Sequence, residues 1–340
     1  MKPYLSIIIP YHNSPSHLVR LLGSIKKSVN APSYEVIVVD DGSSPRLKSF
    51  VGMLKWTDSR HRLHIVTLGH NHGPAIARNR GVAKAKGDFV VFLDGDVEVF
   101  PDTFAQIAKV FISDPDVVAL TGVWVKEQKS HNFFPNYKAL RDWSYWINER
   151  DKSGYYFLFS TRIASIKRSV FLRLGGFNET YPAPLVEDIE LTYRIARRYA
   201  IIFAPQVRVR HEFEEFWPIA KKYFLRAYYW TKLYTKRKKF DPVATTLQEA
   251  IVTLSGVLVI MLLAITTIAL IATLGSVTVP IIVLMYVLSG TFGIYLWLTR
   301  KFLQFVYQER GVVFMIKSFG IGLVLNCFIF AGALIGRFTH

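Results

Sequence analysis

Phe89-Val90-Val91-Phe92-Leu93-Asp94-Gly95-Asp96 is the stretch from which the rest of the chain can be read. Five apolar or aromatic residues in succession predict a strand buried on both faces, the kind that parallel sheets use. Two carboxylates follow at once, one glycine apart. The carboxyl end of a buried strand is where open α/β sheets bind their ligands. An Asp-x-Asp pair is short enough for both side chains to address one cation and the phosphates bound to it. Mg2+ and Mn2+ take oxygen ligands, and Mg2+ is often held by one or two carboxylates plus substrate phosphates. The stretch therefore predicts a metal–diphosphate site. A surface turn would use the same residue types, because Asp and Gly are ordinary turn formers.

The preceding residues favour the site. Leu5 to Ile9 is a buried-strand candidate that ends in Pro10-Tyr11-His12-Asn13, and Ser14-Pro15 can then start a helix whose apolar face is Leu18, Leu21, Leu22 and Ile25. Tyr34 to Val39 is a second strand, ending in Asp40-Asp41-Gly42-Ser43, and Leu47, Phe50, Val51 and Leu54 predict the next helical face. His64 to Leu68 is a third strand, and Pro74 to Ala85 is a helix of small residues carrying Arg78 and Arg80. Alternating strands and helices argue for an α/β domain with a mostly parallel, twisted sheet and right-handed crossovers. Acids then close two strands on one sheet edge, Asp40/Asp41 and Asp94/Asp96. In such a sheet one carboxylate commonly reads a base or ribose while another handles the metal.

Beyond Pro101 the rhythm loosens. Phe104 to Phe111 predicts a helix, Val117 to Val125 a strand, Ser160 to Ile166 a strand, and Ile201–Phe203 and Val207–Val209 two short strands. Lys126 to Gly154 is long and aromatic, either a core helix or an apolar acceptor groove. Glu187-Asp188 opens a helix, where acids are favoured by the helix dipole in any case.

Composition bounds the rest. The formal net charge is +17, yet the basic residues are densest from Lys221 to Lys239, beside an apolar run. Lys/Arg clusters in that position suit anionic lipid headgroups better than nucleic acid, and no nucleic-acid partner is expected. Cys327 is the only cysteine, so no disulfide forms within one chain. Leu5–Ile9 is too short for a signal-peptide core and Pro10 follows it, so the amino-terminal domain is expected in the cytoplasm.

In order, these motifs resemble the family 2 inverting glycosyltransferases of the GT-A fold. The resemblance rests on Ile7-Ile8-Ile9-Pro10-Tyr11-His12-Asn13, Val38-Val39-Asp40-Asp41-Gly42-Ser43, and Asn71-His72-Gly73 through Ala77-Arg78-Asn79-Arg80-Gly81. It continues with Asp94-Gly95-Asp96, Gly175-Gly176-Phe177-Asn178-Glu179, Glu187-Asp188-Ile189-Glu190-Leu191 with Arg194, and Val209-Arg210-His211. Each is weak alone; over residues 4–212, in this order, they are specific. The resemblance implies a nucleotide-sugar donor, with UDP favoured and GDP the other candidate. It implies that Asp40 or Asp41 holds the base, flanked by Pro10 and Tyr11, and that Arg78 lines the nucleotide side. Asp94 would touch the ribose, and Asp96 would hold Mn2+ or Mg2+ with Asp94 and His211 as further contacts. Asp188 would be the general base, with Glu187 its rival. Processive synthases of the family carry Gln/Arg-x-x-Arg-Trp after the base; here Arg226-Ala227-Tyr228-Tyr229-Trp230 has the wrong spacing. That favours transfer of a single sugar over polymer synthesis, and an inactive scaffold is disfavoured by the full set of acids.

After Glu249 no charged residue occurs until Arg300. Such a run predicts membrane spans at 246–274, 276–299 and 318–336, or two spans and a re-entrant third piece. The cations between the second and third spans put that loop and the catalytic domain in the cytoplasm and Arg337–His340 outside, the topology of a multi-pass membrane protein. Phe216 to Phe240 interleaves aromatic and basic residues and predicts an interfacial helix or pair of helices. The expected organisation is a catalytic domain over 1–214, interfacial helices over 215–245 and an all-α membrane domain over 246–337. A lipid acceptor follows from it, polyprenyl phosphate or a glycolipid.

Overall fold

The computed structural model describes residues 2–47, 62–150, 155–181, 186–243 and 245–339. The predicted helical positions Phe50, Val51 and Leu54 lie outside them. The chain divides into two compact units, 1–131 with 151–213, and 132–150 with 214–340.

In the first unit the strands β1 (Leu5–Tyr11), β2 (Tyr34–Asp40), β3 (Arg62–Thr67) and β4 (Phe89–Leu93) are all parallel, in spatial order β3-β2-β1-β4. The helices α1 (Pro15–Lys26) and α2 (Pro74–Lys84) lie between them in the chain. The chain steps outward from β1 to β3 and then returns to β1's other side for β4. That reversal is a topological switch point, and it places the carboxyl ends of β1 and β4 side by side. Ile7, Ile8, Val91 and Phe92 have no exposed surface, as runs buried on both faces require.

The remaining half of the sheet is less parallel than the alternation predicts. β7 (Ile163–Lys167) runs antiparallel to both β4 and β6 (Ala119–Trp124). β8 (Ile201–His211) lies parallel to β6 and antiparallel to β5 (Val97–Val99). The eight strands therefore form a mixed sheet in the order β3-β2-β1-β4-β7-β6-β8-β5. The two short strands expected at 201–203 and 207–209 are one strand, which carries exposed Pro205 across a register shift against β6 between Thr121 and Val123. The shift lets a residue without an N–H sit in a strand. α3 (Thr103–Ser113), α5 (Arg168–Arg173) and α6 (Glu187–Ile195) complete the unit.

The second unit includes the chain from 214 onward together with 132–150. This segment is the helix α4 (Phe133–Trp143), which widens into a π turn over Ser144–Asn148. It buries Tyr137 and Leu140 among partners supplied only by the tertiary fold, including Phe302. α7 (Phe216–Arg237) is one continuous helix rather than a pair. α8 (Leu247–Ala272) starts from a capping box made by Thr246 and Glu249. α9 spans Val279–Phe338, with non-helical backbone at Gly311, φ 79°. Asn326 donates from Nδ2 to the Tyr295 hydroxyl at 3.2 Å. Residues that far apart on one straight helix would be about 46 Å apart at 1.5 Å per residue. α9 is therefore a hairpin of two arms, 279–310 and 312–338, turned at Gly311. α8 and α9 are the two helices among the described residues long and apolar enough to cross a membrane.

α7 packs along the end of the second arm. A Cβ at Gly332 would stand 2.1 Å from the Phe224 carbonyl oxygen, and one at Gly336 2.5 Å from that of Tyr228. The Gly332-x-x-x-Gly336 pair is thus a close-approach face that side chains would abolish.

Candidate active site

The site is built on the carboxyl ends of β2, β1 and β4. In-register pairing of Tyr11 with Asp40 sets the ends of β1 and β2 level. Gly95 sits where a Cβ would be 3.1 Å from the Pro10 carbonyl oxygen, so Pro10 lies against the Asp94–Asp96 turn.

Asp40 and Asp41 are both buried, and both hold loops. Asp40 accepts from the backbone N–H groups of Ser43 (3.0 Å) and Leu47 (2.8 Å). Asp41 accepts from those of His72 (2.8 Å) and Gly73 (2.9 Å). The loop that follows them needs Gly42 twice over: its φ is +69°, and a Cβ there would lie 2.3 Å from the His70 carbonyl carbon. Burial and the Asp40 carboxylate push the Tyr11 hydroxyl above its ordinary pKa, against opposing hydrogen bonds at Ser14 and Ser43.

Arg78 on α2 joins two regions. Its guanidinium donates from Nη2 to Asp94 Oδ1 at 2.7 Å and from Nη1 to Glu187 Oε1 at 2.9 Å. The side chain is 2% exposed and lies 5.5 Å from the Phe177 ring centroid. Burial works to lower its pKa, but Asp94 and Glu187 outweigh burial and hold it above the ordinary value. The arginine expected on the nucleotide side is thus fully interior, tying the acid after β4 to the first residue of α6. Glu187 is buried in this pair, whereas Asp188 is half-buried, its Oδ1 accepting from the Ile189 N–H at 2.8 Å.

Asp96 stands on the other side of Asp94. Its Oδ2 is 3.3 Å from His211 Nε2, and its side chain is 40% exposed while that of His211 is 10% exposed. Among the described residues His211 Nδ1 is buried without a hydrogen-bond partner. An exposed carboxylate beside an imidazole is a donor set that suits Mn2+ or Mg2+ when substrate oxygens complete the shell. Among the described residues no group of three His, Cys, Asp or Glu side chains is close enough to hold a metal by itself.

Two supporting residues carried no assigned role in the sequence. Asn79 donates to the Phe177 carbonyl and to Glu179 and accepts from the Phe177 N–H, all at 2.9 Å, so it pins the Gly175–Glu179 turn to α2. Its place in the Arg78–Gly81 motif was the available signal. Gln128 donates to the His211 carbonyl and accepts from the Phe213 N–H, both at 2.9 Å, which fixes the end of β8. No local pattern marks it.

Residues 6–174 match the family model described as glycosyl transferase family 2. The pre-mycofactocin glycosyltransferase of Mycobacterium tuberculosis is 30% identical over 216 residues, 61% of this chain and 42% of that protein. The validoxylamine A glucosyltransferase of Streptomyces hygroscopicus subsp. limoneus is 28% identical over 221 residues, 57% of this chain and 48% of that protein. The chain thus spans less than half the length of these curated relatives. A solved mannosyltransferase from Pyrobaculum calidifontis, in complex with GDP-Man and Mn2+, is similar at TM-score 0.65 and 21% identity, covering 99% of this chain and 88% of that one. That likeness shows a shared fold.

Proposed function

Because the chain belongs to glycosyl transferase family 2, we propose that it moves a single sugar from a nucleotide-diphosphate sugar to a lipid-linked acceptor, polyprenyl phosphate or a glycolipid, at the cytoplasmic face of a membrane. The observation that carries this is the double ion pair of Arg78. The buried guanidinium joins the donor-side acid Asp94 to Glu187, the first residue of the helix bearing Asp188. A divalent cation, Mn2+ or Mg2+, held by Asp96 and His211 beside Asp94, would neutralise the charge that grows on the leaving diphosphate.

The chain's own residues supply the rest. Glu187 is ion-paired with the buried Arg78, which supports Asp188 as the base at the start of α6. Asp188 takes the proton from the attacking oxygen as its bond to the anomeric carbon forms and the bond to the diphosphate breaks. General-base catalysis of this kind contributes about 10²–10⁴ in rate. Direct displacement inverts the anomeric centre. Asp40 or Asp41, flanked by Pro10 and Tyr11, are the candidates to face the base; UDP is favoured by the resemblance, and GDP, the other candidate, is the nucleotide in the Pyrobaculum calidifontis mannosyltransferase complex.

Membrane attachment is supported by the large apolar side chains that α8 and α9 leave exposed, among them Leu254, Leu258, Ile268, Val283 and Ile294. α8 and the first arm of α9 supply two crossings. A third crossing at 318–336 has to accommodate α7, which runs beside its end and carries Lys221, Lys222, Arg226, Lys232, Lys236 and Arg237. Long basic side chains can reach headgroups from such a helix. The same cations suit the phosphate of a lipid acceptor.

The test is purified full-length protein with UDP-, GDP- and CDP-sugars, with and without Mn2+. A donor at a hundred times its dissociation constant adds about 2.7 kcal/mol of stability. One metal-dependent thermal shift is expected. Asp188→Asn should keep that shift and lose about 10²–10⁴ in kcat. Turnover equal to the parent's would remove Asp188 from the base role, and long products from one donor would favour the processive alternative.

A further inference from the structure

The first unit contains a cavity that the transfer reaction does not use. It has a volume of about 450 Å³ and lies between α1, β5 with the residues that follow it, and β8. Four cationic side chains line it, Arg20, Lys27, Lys129 and Arg210, against a single carboxylate, Glu98. Lys129 is ion-paired with Glu98, and Arg20 Nε is 3.8 Å from it. Among the described residues neither Lys27 nor Arg210 makes an ion pair. One carboxylate cannot neutralise four cations, so the cavity keeps a surplus of three positive charges. Close like charges repel.

The cavity is separate from the donor site. Glu98 pairs across the ladder with Arg210, and Val97 with His211. Side chains alternate between faces along a strand. Glu98 and Arg210 therefore lie on the face of the β5–β8 ribbon opposite His211, which meets Asp96. The floor is open as well: a Cβ at Gly23 would meet nothing within 4 Å, although Gly23 lies inside α1. Val99, Phe100 and Pro101 give an apolar wall, with the guanidinium groups of Arg208 and Arg210 5.0 and 5.8 Å from the Phe100 ring centroid.

We propose that this cavity is a binding site for a phosphate group, carried by a small phosphorylated molecule or by an acidic phospholipid headgroup. Guanidinium and ammonium groups together favour a compact dianion. The volume falls within the range of small-ligand pockets and exceeds what a bare anion needs. The site does not depend on the identity of the sugar donor.

The experiment is calorimetric titration of the detergent-solubilised full chain with inorganic phosphate, in EDTA and at ionic strength held constant with NaCl. It is run beside flotation with phosphatidylcholine vesicles, with and without phosphatidic acid. Gly23→Leu extends a side chain from a position where a Cβ meets nothing within 4 Å, and Lys27→Ala removes one cation; a melting temperature no lower than the parent's shows that each variant folds. Saturable phosphate binding, weakened at least tenfold in both variants, is the expected result and assigns a soluble phosphate. Silence toward phosphate, with phosphatidic-acid-dependent flotation lost in Gly23→Leu, assigns the headgroup instead. Equal binding by parent and variants in both arms, or none by any, overturns the proposal.

Discussion

Arg78→Met removes the cation that joins two carboxylates. Glu187 is 3% exposed and Asp94 28% exposed, so the loss falls mainly on Glu187, whose interior charge loses the guanidinium at 2.9 Å. Solvent screens the partly open Asp94. Breaking a buried pair from one side costs about 3–5 kcal/mol. In a unit of 150–250 residues each kcal/mol moves Tm by about 2–4 °C, so the variant should melt about 6–20 °C below the parent. Glu187→Gln alone should cost about 1–2 kcal/mol, since Arg78 keeps Asp94 and a neutral partner. The double variant removes the carboxylate charge as well as its guanidinium, and should be less damaging than the two losses added together by about 1–3 kcal/mol. Thermal unfolding in detergent, followed by near-ultraviolet circular dichroism, reads all four proteins. Losses that add to within about 0.5 kcal/mol would refute the coupling, and with it the idea that Arg78 ties the donor-side acid to α6.

Three further outcomes follow from other contacts. Gly42→Ala should abolish the metal-dependent donor shift, because its new methyl group meets the His70–Asn71 backbone at 2.3–2.6 Å and φ stays at +69°; a donor shift of parental size would contradict it. Gly332→Leu should pry α7 from α9, because its side chain meets the Phe224 carbonyl at 2.1 Å, read as a melting temperature in detergent below the parent's; an unchanged melting temperature would contradict it. The Tyr11 hydroxyl is raised in the folded state, so its contribution is complete below its ordinary pKa of about 10 and is lost as pH rises above it. Tm should therefore fall above about pH 10, and less steeply in Tyr11→Phe, as melting curves between pH 9 and 11.5 would record.

Much of the first unit is legible because its signals are local. A run such as Leu5–Ile9 or Phe89–Leu93 has to be interior, and Pro15 and Pro74 mark helix starts by their missing N–H. The second half of the sheet is less so. β7 enters between β4 and β6 from far along the chain, and nothing in Ile163–Lys167 states whether its neighbours run with or against it. The aromatic stretch after Lys126 left open a core helix or a groove, because its helical pattern does not name the body it packs on.

The order of residues alone determined where the acids stand. Asp40, Asp41, Asp94 and Asp96 follow buried runs, and a buried run must end at a sheet edge. It also determined the apolar tail, whose lack of charge from Ala250 to Thr299 no packing arrangement alters. Only the tertiary structure decided which acids are committed. Arg78 meets Asp94 and Glu187 at separations of 16 and 109 residues, and that contact distinguishes Glu187 from Asp188. Tyr295 meets Asn326 only because α9 reverses at Gly311. Hydrophobic pattern acts residue by residue and survives in the sequence, whereas ion-pair partners and helix reversals depend on distances that exist only after the chain has closed on itself.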